Sequence, residues 1–129
     1  MQHRLRVVKA GWFALVVGMA LPSLAQAQVS LINSGTKLLE QCSDWANWAK
    51  PDSEQTPSSY QASAFCSAYV AGVFDAMDNV CPPDGVTYGQ MVRVVLKFLN
   101  DHPERLHEGR FRLVVDALRA AWPCKRKAP

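Results

Sequence analysis

The chain has 129 residues and carries 14 Lys and Arg against 11 Asp and Glu, but the basic excess lies in its first stretch. Arg4, Arg6 and Lys9 are three of those bases, so the 11 that follow balance the 11 acids and leave that part close to neutral. A nucleic-acid partner calls for a basic face interleaved with aromatics, and neither composition nor order supplies one.

Arg4, Arg6 and Lys9 precede an apolar run from Trp12 to Leu21, which Pro22 breaks. Ala25-Gln26-Ala27 then offers the small residues that a signal peptidase reads. Basic start, apolar run and small-residue site, in that order, predict a secretory signal peptide over residues 1–27, cleaved after Ala27. The competing reading is a retained anchor, for which the run is short of the ~20 apolar residues of a span. Residues 28–129 are then a single exported domain with no membrane attachment.

Val29–Asn33 reads as a short extended lead-in, and Ser34-Gly35-Thr36 supplies candidate N-caps. Leu38, Leu39, Cys42, Trp45 and Trp48 follow at roughly helical spacing. Between Ala46 and Ser59, Pro51, Asp52, Ser53 and Pro57 predict a polar loop stiffened by proline. A long helix is expected over Tyr60–Cys81, ending near Asn79, capped by Ser58 or Ser59. Its packed face is Phe65, Tyr69, Val73, Ala76, Met77 and Val80. Gly72 inside it suggests a close approach by another helix.

Pro82-Pro83-Asp84-Gly85 turns the chain. Thr87 and Gln90 have the spacing of a capping box, and Met91, Val94, Val95, Phe98 and Leu99 form an amphipathic stripe. Asn100–Pro103 breaks that helix, and a last one is expected at or soon after Pro103. Its apolar face is Phe111, Val114, Val115, Leu118 and Trp122, with Pro123 as the stop. Lys125-Arg126-Lys127 beyond it suits a helix C-terminus. Strand-like alternation is absent, so the fold class is all-α: an up-down bundle of about four helices.

Four cysteines, Cys42, Cys66, Cys81 and Cys124, in a small exported chain read as a disulfide framework. A metal site is the alternative, but no Cys-x-x-Cys pair and no suitably spaced histidine supports one. On a continuous helix Cys66 and Cys81 lie about 22 Å apart at 1.5 Å per residue. That exceeds the ~7 Å limit between disulfide Cα atoms. In an up-down bundle Cys42 and Cys81 fall at opposite ends, which leaves Cys42–Cys66 with Cys81–Cys124.

Catalytic constellations are not found. His107-Glu108 starts like a zinc-protease motif, but Phe111 stands where its second histidine belongs. Asp75 and Asp78 share one turn, and nothing converges on them. No catalytic residue, metal ligand or cofactor is assigned. Trp45 and Trp48 are either core or protein-binding anchors, since tryptophan is enriched at interfaces. With Pro51, Pro57, Pro82, Asp84 and His102, which lie on the three connections, they make up the partner-binding candidates.

The ordered motifs are Gly35-x-x-Leu38-Leu39-x-x-Cys42, then Cys66-x-x-Tyr69-Val70-x-Gly72-x-x-Asp75, then Cys81-x-Pro83-x-Gly85-Val86-Thr87-x-x-Gln90. Val94-Val95-x-x-Phe98-Leu99-x-x-His102-Pro103 and Leu113-Val114-x-x-Ala117-Leu118-x-x-Ala121-Trp122-Pro123-Cys124 complete them. This set resembles the Rap/Tai family of immunity proteins, which protect bacteria against type VI secretion amidase effectors. The resemblance implies a periplasmic helical protein, often a homodimer, without catalysis of its own. It implies as partner a secreted peptidoglycan amidase whose cleft the immunity protein blocks. The alternative is an envelope adaptor that uses the same fold for another partner.

Overall fold

The computed structural model describes residues 32–125. The expected signal peptide, most of the Val29–Asn33 lead-in, and Arg126 and Lys127 lie outside the described residues. Four α-helices and one 3-10 turn make an all-α bundle: α1 (Gly35–Trp48), α2 (Pro57–Asp75), α3 (Tyr88–Asp101), the turn Pro103–Arg105, and α4 (Arg110–Ala121).

Each start has a local cause. Ser34 is the N-cap of α1, where its side chain accepts the Lys37 amide in an extended backbone conformation. Thr87 and Gln90 close the capping box of α3: the Gln90 amide donates to Thr87 Oγ1 at 3.3 Å and the Thr87 amide to Gln90 Oε1 at 2.7 Å. For α2 the cap is Thr56, not Ser58 or Ser59. Ser59 instead occupies N3 and accepts the Thr56 amide, while Pro57 sits at N1, where its missing N–H costs nothing. The helix therefore starts three residues before Tyr60.

It also stops earlier than expected. Ala76 caps α2, and Val80 leaves helical structure to pair with Pro123 in an isolated β-bridge. Asp78 and Asn79, which compete for backbone groups in non-helical conformations, separate the two. The buried line of α2 is Ser63, Cys66, Val70 and Val73, while Phe65 and Tyr69 are only half-buried. Gly72 is not a contact point either, for a Cβ there would meet nothing within 4 Å.

The last helix starts later than Pro103 suggested. Pro103–Arg105 forms only the 3-10 turn, and α4 begins after Gly109. Its buried face is Leu113, Val114, Val115, Ala117 and Leu118. Phe111, expected in that face, is 58% exposed, and Trp122 is the C-cap, packed against the core edge. Pro123 accounts for the ending, because the residue before a proline is driven out of the α region.

The core joins Leu38 and Cys42 of α1, Cys66, Val70 and Val73 of α2, Met91, Val92, Val95 and Leu99 of α3, and the buried face of α4. Cys42–Cys66 links the middles of α1 and α2, with Cα atoms 5.1 Å apart and both residues fully buried. Trp48 at the end of α1 meets Tyr60 near the start of α2, so the two helices run antiparallel. Cys81–Cys124 joins the segment after α2 to the segment after α4. There the Cys81 amide donates to the Trp122 carbonyl at 3.0 Å.

Candidate functional site

At one end of the α1–α2 pair the antiparallel register gathers Trp45, Trp48, Tyr60, Ser63, Ala64 and Ser67 around a groove of about 230 Å³. Trp48 and Tyr60 stand edge to face, with ring centroids 6.3 Å apart and planes at 61°. They are 39% and 60% exposed, which is unusual for two large rings in contact. Trp45 is different: half-buried, it packs against the core, with Gly89 of α3 beside its indole and the Arg93 guanidinium 5.9 Å from its centre. Beneath the rings lies Ser63, 5% exposed, whose hydroxyl has no hydrogen-bond partner among the described residues. Its carbonyl is used, accepting the Ser67 hydroxyl at 3.0 Å.

A second groove between α1 and α2 is polar, about 580 Å³, and lined by Lys37, Glu40, Gln41 and Asp44 with Ser58 and Gln61 opposite. Lys37 and Glu40 pair at 2.8 Å. Gln41 Oε1 is buried without a partner among the described residues.

The 49–56 connection is held by its own polar groups. Ser53 Oγ donates to the Lys50 carbonyl at 3.0 Å, Lys50 Nζ donates to Asn47 Oδ1 at 2.9 Å, and Thr56 and Ser59 cap each other. Pro51 is exposed in this segment and Pro57 at its end.

Pro82 and Asp84 belong to another surface. Pro82 lines a groove of about 420 Å³ with Phe74, Val86, Tyr88 and Met91. Gly85 supplies the positive φ of 85° that turns the chain there. Tyr88 donates from its hydroxyl to Asp75 Oδ1 at 2.9 Å. That hydrogen bond, together with the carboxylate charge, raises the Tyr88 pKa above its ordinary value. Asp75 is thus engaged as an acceptor for Tyr88.

His102 lies at a third place, the C-cap of α3, with its ring 4.4 Å from Phe98 and Nδ1 3.2 Å from Glu104 Oε1. Glu104 has a lowered pKa, first through a hydrogen bond from its own backbone amide and then through His102. Beside it, Arg105 makes a two-pronged pair with Glu108 at 2.7 and 2.9 Å and reaches Asp116 of α4 at 2.6 Å. These bonds raise the Arg105 pKa and lower that of Glu108. Arg110 forms a second node, with its guanidinium 4.8 Å from the Phe65 ring and 4.5 Å from Tyr69.

The structure therefore brings Trp45 and Trp48 into one groove and leaves Pro82, Asp84 and His102 on separate surfaces. Tyr60 and Ser63 were missed from sequence, because only the α1–α2 register places them beside the tryptophans. Among the described residues, no group of three or more His, Cys, Asp or Glu could hold a metal ion. No helix among them is long and apolar enough to cross a membrane. The chemistry on offer is that of a recognition surface: exposed rings, grooves and short connections tied down by hydrogen bonds.

A search of the curated proteins finds no significant match. A comparison with protein families matches residues 34–124 to the Rap1a immunity proteins. That span begins at the cap of α1, ends at Cys124 and includes all four helices and both disulfides. The chain belongs to the Rap1a family of immunity proteins, whose function implies binding a partner effector.

Proposed function

We propose that this immunity protein acts in the periplasm, where it binds a peptidoglycan amidase effector of type VI secretion and blocks its substrate cleft without catalysis of its own. The observation that carries the reading is the family match over residues 34–124. The amidase comes from the motif resemblance, and the compartment from the leader expected over residues 1–27 together with two disulfides, which persist in oxidising compartments. The mechanism is steric. A partner docking on a surface already fixed by bridges and caps leaves little to order on binding, so more of the contact energy appears as affinity. Contacts come from Trp45 and Trp48 with the Pro51–Pro57 connection, from the Pro82–Asp84 turn or from His102, and the inhibitor acts as a monomer or a homodimer.

The test is inhibition of the amidase encoded beside this gene, with purified peptidoglycan as substrate. Activity is expected to fall to background near stoichiometric addition of the oxidised protein. Undiminished hydrolysis at large molar excess overturns the reading.

A further inference from the structure

We propose that the Trp45–Trp48–Tyr60 groove is a cation-accepting docking site that receives a lysine or arginine side chain of the effector, its charged end against the ring faces and one N–H directed to the Ser63 hydroxyl. This rests on the immunity reading and names the surface and the partner chemistry within it. Three features of the groove point the same way.

First, its wall is made of π faces. Trp48 and Tyr60 are set at 61° and remain 39% and 60% exposed, which leaves an angled aromatic wall open to solvent. Ring faces attract ammonium and guanidinium groups, and tryptophan does so best. Trp45 already demonstrates this within the chain, since Arg93 of α3 sits 5.9 Å from its centre. Among the described residues, neither Arg93 nor any other cationic side chain lines the groove.

Second, the floor holds an unused polar atom. Ser63 is 5% exposed and its hydroxyl has no partner among the described residues. A buried hydroxyl left unpaired is unfavourable, and its lone pairs suit an N–H donor. A long side chain ending in N–H donors can supply such a donor.

Third, the surroundings favour positive charge. Asp52 and Glu54, in the connection between the two helices, carry no ion pair among the described residues. The one lysine of that connection, Lys50, is directed to Asn47 Oδ1.

The experiment has two arms. In the first, amide and indole N–H spectra of the oxidised protein are recorded during titration with N-acetyl-arginine methylamide and, separately, with uncharged N-acetyl-norleucine methylamide. Shifts at the Trp48 indole and the Ser63 amide with the arginine probe alone are expected. Equal shifts with both probes, or none with either, overturn a cation site.

In the second arm, the affinity for the amidase is measured for variants. Trp48→Ala and Tyr60→Ala weaken binding about 30-fold each, the loss typical of an interface hot spot. Trp48→Phe, which keeps a ring face, stays within about fivefold. Ser63→Ala removes an unpaired buried hydroxyl, so its unfolding midpoint is unchanged or higher while affinity drops about fivefold. A purely structural Ser63 would show no such divergence. If the wild-type protein inhibits the amidase and Trp48→Ala, Tyr60→Ala and Ser63→Ala all do so equally well, the groove is overturned and the immunity reading stands. If the wild-type protein leaves the amidase active, the immunity reading falls, and with it the effector as occupant.

Discussion

Two glycines in helices should respond to alanine with opposite signs. At Gly35, the first residue of α1, a Cβ would run into Leu113 Cδ1 and lie 3.1 Å from the Leu106 carbonyl oxygen and 3.2 Å from its Cα. Leu113 is 1% exposed and cannot swing into solvent, and the two Leu106 atoms are backbone. The Gly35 and Thr36 amides donate to the Glu108 and Leu106 carbonyls at 2.9 and 3.0 Å, so separating the segments would lengthen both bonds. Overpacking of this kind costs about 1–3 kcal/mol. Alanine's helix preference, about 1 kcal/mol over glycine in a helix interior, offsets less than that at a first position. At Gly72, inside α2, nothing lies within 4 Å of the added methyl, and only the propensity gain of about 0.5–1 kcal/mol remains. In a domain of this size 1 kcal/mol moves the midpoint by about 4–8 °C. Differential scanning calorimetry of the oxidised protein should therefore place Gly35→Ala several degrees below wild type and Gly72→Ala a few degrees above it. A Gly35→Ala midpoint equal to or above wild type would refute the close packing of α1 on the 106–113 segment.

Other perturbations probe the bridges and the ion pairs. Replacing Cys81 and Cys124 together by alanine opens a connection spanning 43 residues, against 24 for Cys42–Cys66. On loop entropy the losses are about 4 and about 3.4 kcal/mol, so urea unfolding of the two double variants should show both far below wild type, the Cys42/Cys66 pair losing packing as well. Because the Asp75 bond raises the Tyr88 pKa, its contribution to stability is complete below the ordinary tyrosine value of 10.0 and is lost as pH rises through the folded value. Asp75→Asn should bring the Tyr88 transition down towards 10.0 in an absorbance titration at 295 nm, and an unmoved transition would count against the bond. Glu108 is the opposite case: its pKa is lowered by Arg105, so its contribution is present above the ordinary 4.5 and lost as pH falls through the folded value. Arg105→Ala should lower the thermal midpoint at neutral pH, by less in acid, and Arg105→Lys should not restore it, because an ammonium cannot make the two-pronged pair.

What could be read beforehand follows from how local each cause is. The Ser34 cap and the Thr87–Gln90 box act over three residues and are visible in the sequence. The pairing of the cysteines followed from helix rise together with an up-down arrangement, even though Cys81 lies beyond α2 rather than at its end. Pro57 misled because proline reads as loop punctuation, whereas at N1 it starts a helix. Pro103 misled in reverse, since it opened a 3-10 turn and Arg105 then bonded to Glu108 and Asp116 across a connection that α4 follows. Phe111 fits the helical period but is exposed, because the buried face of α4 turns on Leu113 and Ala117 instead. The candidate groove was half-legible: Trp48 stood out by type, but Tyr60 and Ser63 became relevant only once Cys42–Cys66 set the register of α1 against α2.

That register also makes an inhibitory surface physically reasonable on so small a domain. Trp48 and Tyr60 come from different helices, and an exposed ring pair gains affinity only if its geometry survives without the partner. Each free rotor or mobile segment frozen on binding subtracts about 0.5–1.5 kcal/mol. Here a buried disulfide ties the middles of the two helices, and the connection between Trp48 and Pro57 satisfies its own polar groups through Ser53, Lys50 and the Thr56–Ser59 cap. At the far end of α2, the Val80–Pro123 bridge and Cys81–Cys124 hold the exit segment to the end of α4. Cys42–Cys66 and the capped connection flank the groove without filling it, while the far-end contacts anchor α2 from its other end. Ser63 fits the same logic, since an unpaired hydroxyl under exposed rings is a cost to the free domain that a partner's donor removes. In a domain whose total stability is of the order of 5–15 kcal/mol, the two bridges offset such a cost and keep the rings in place.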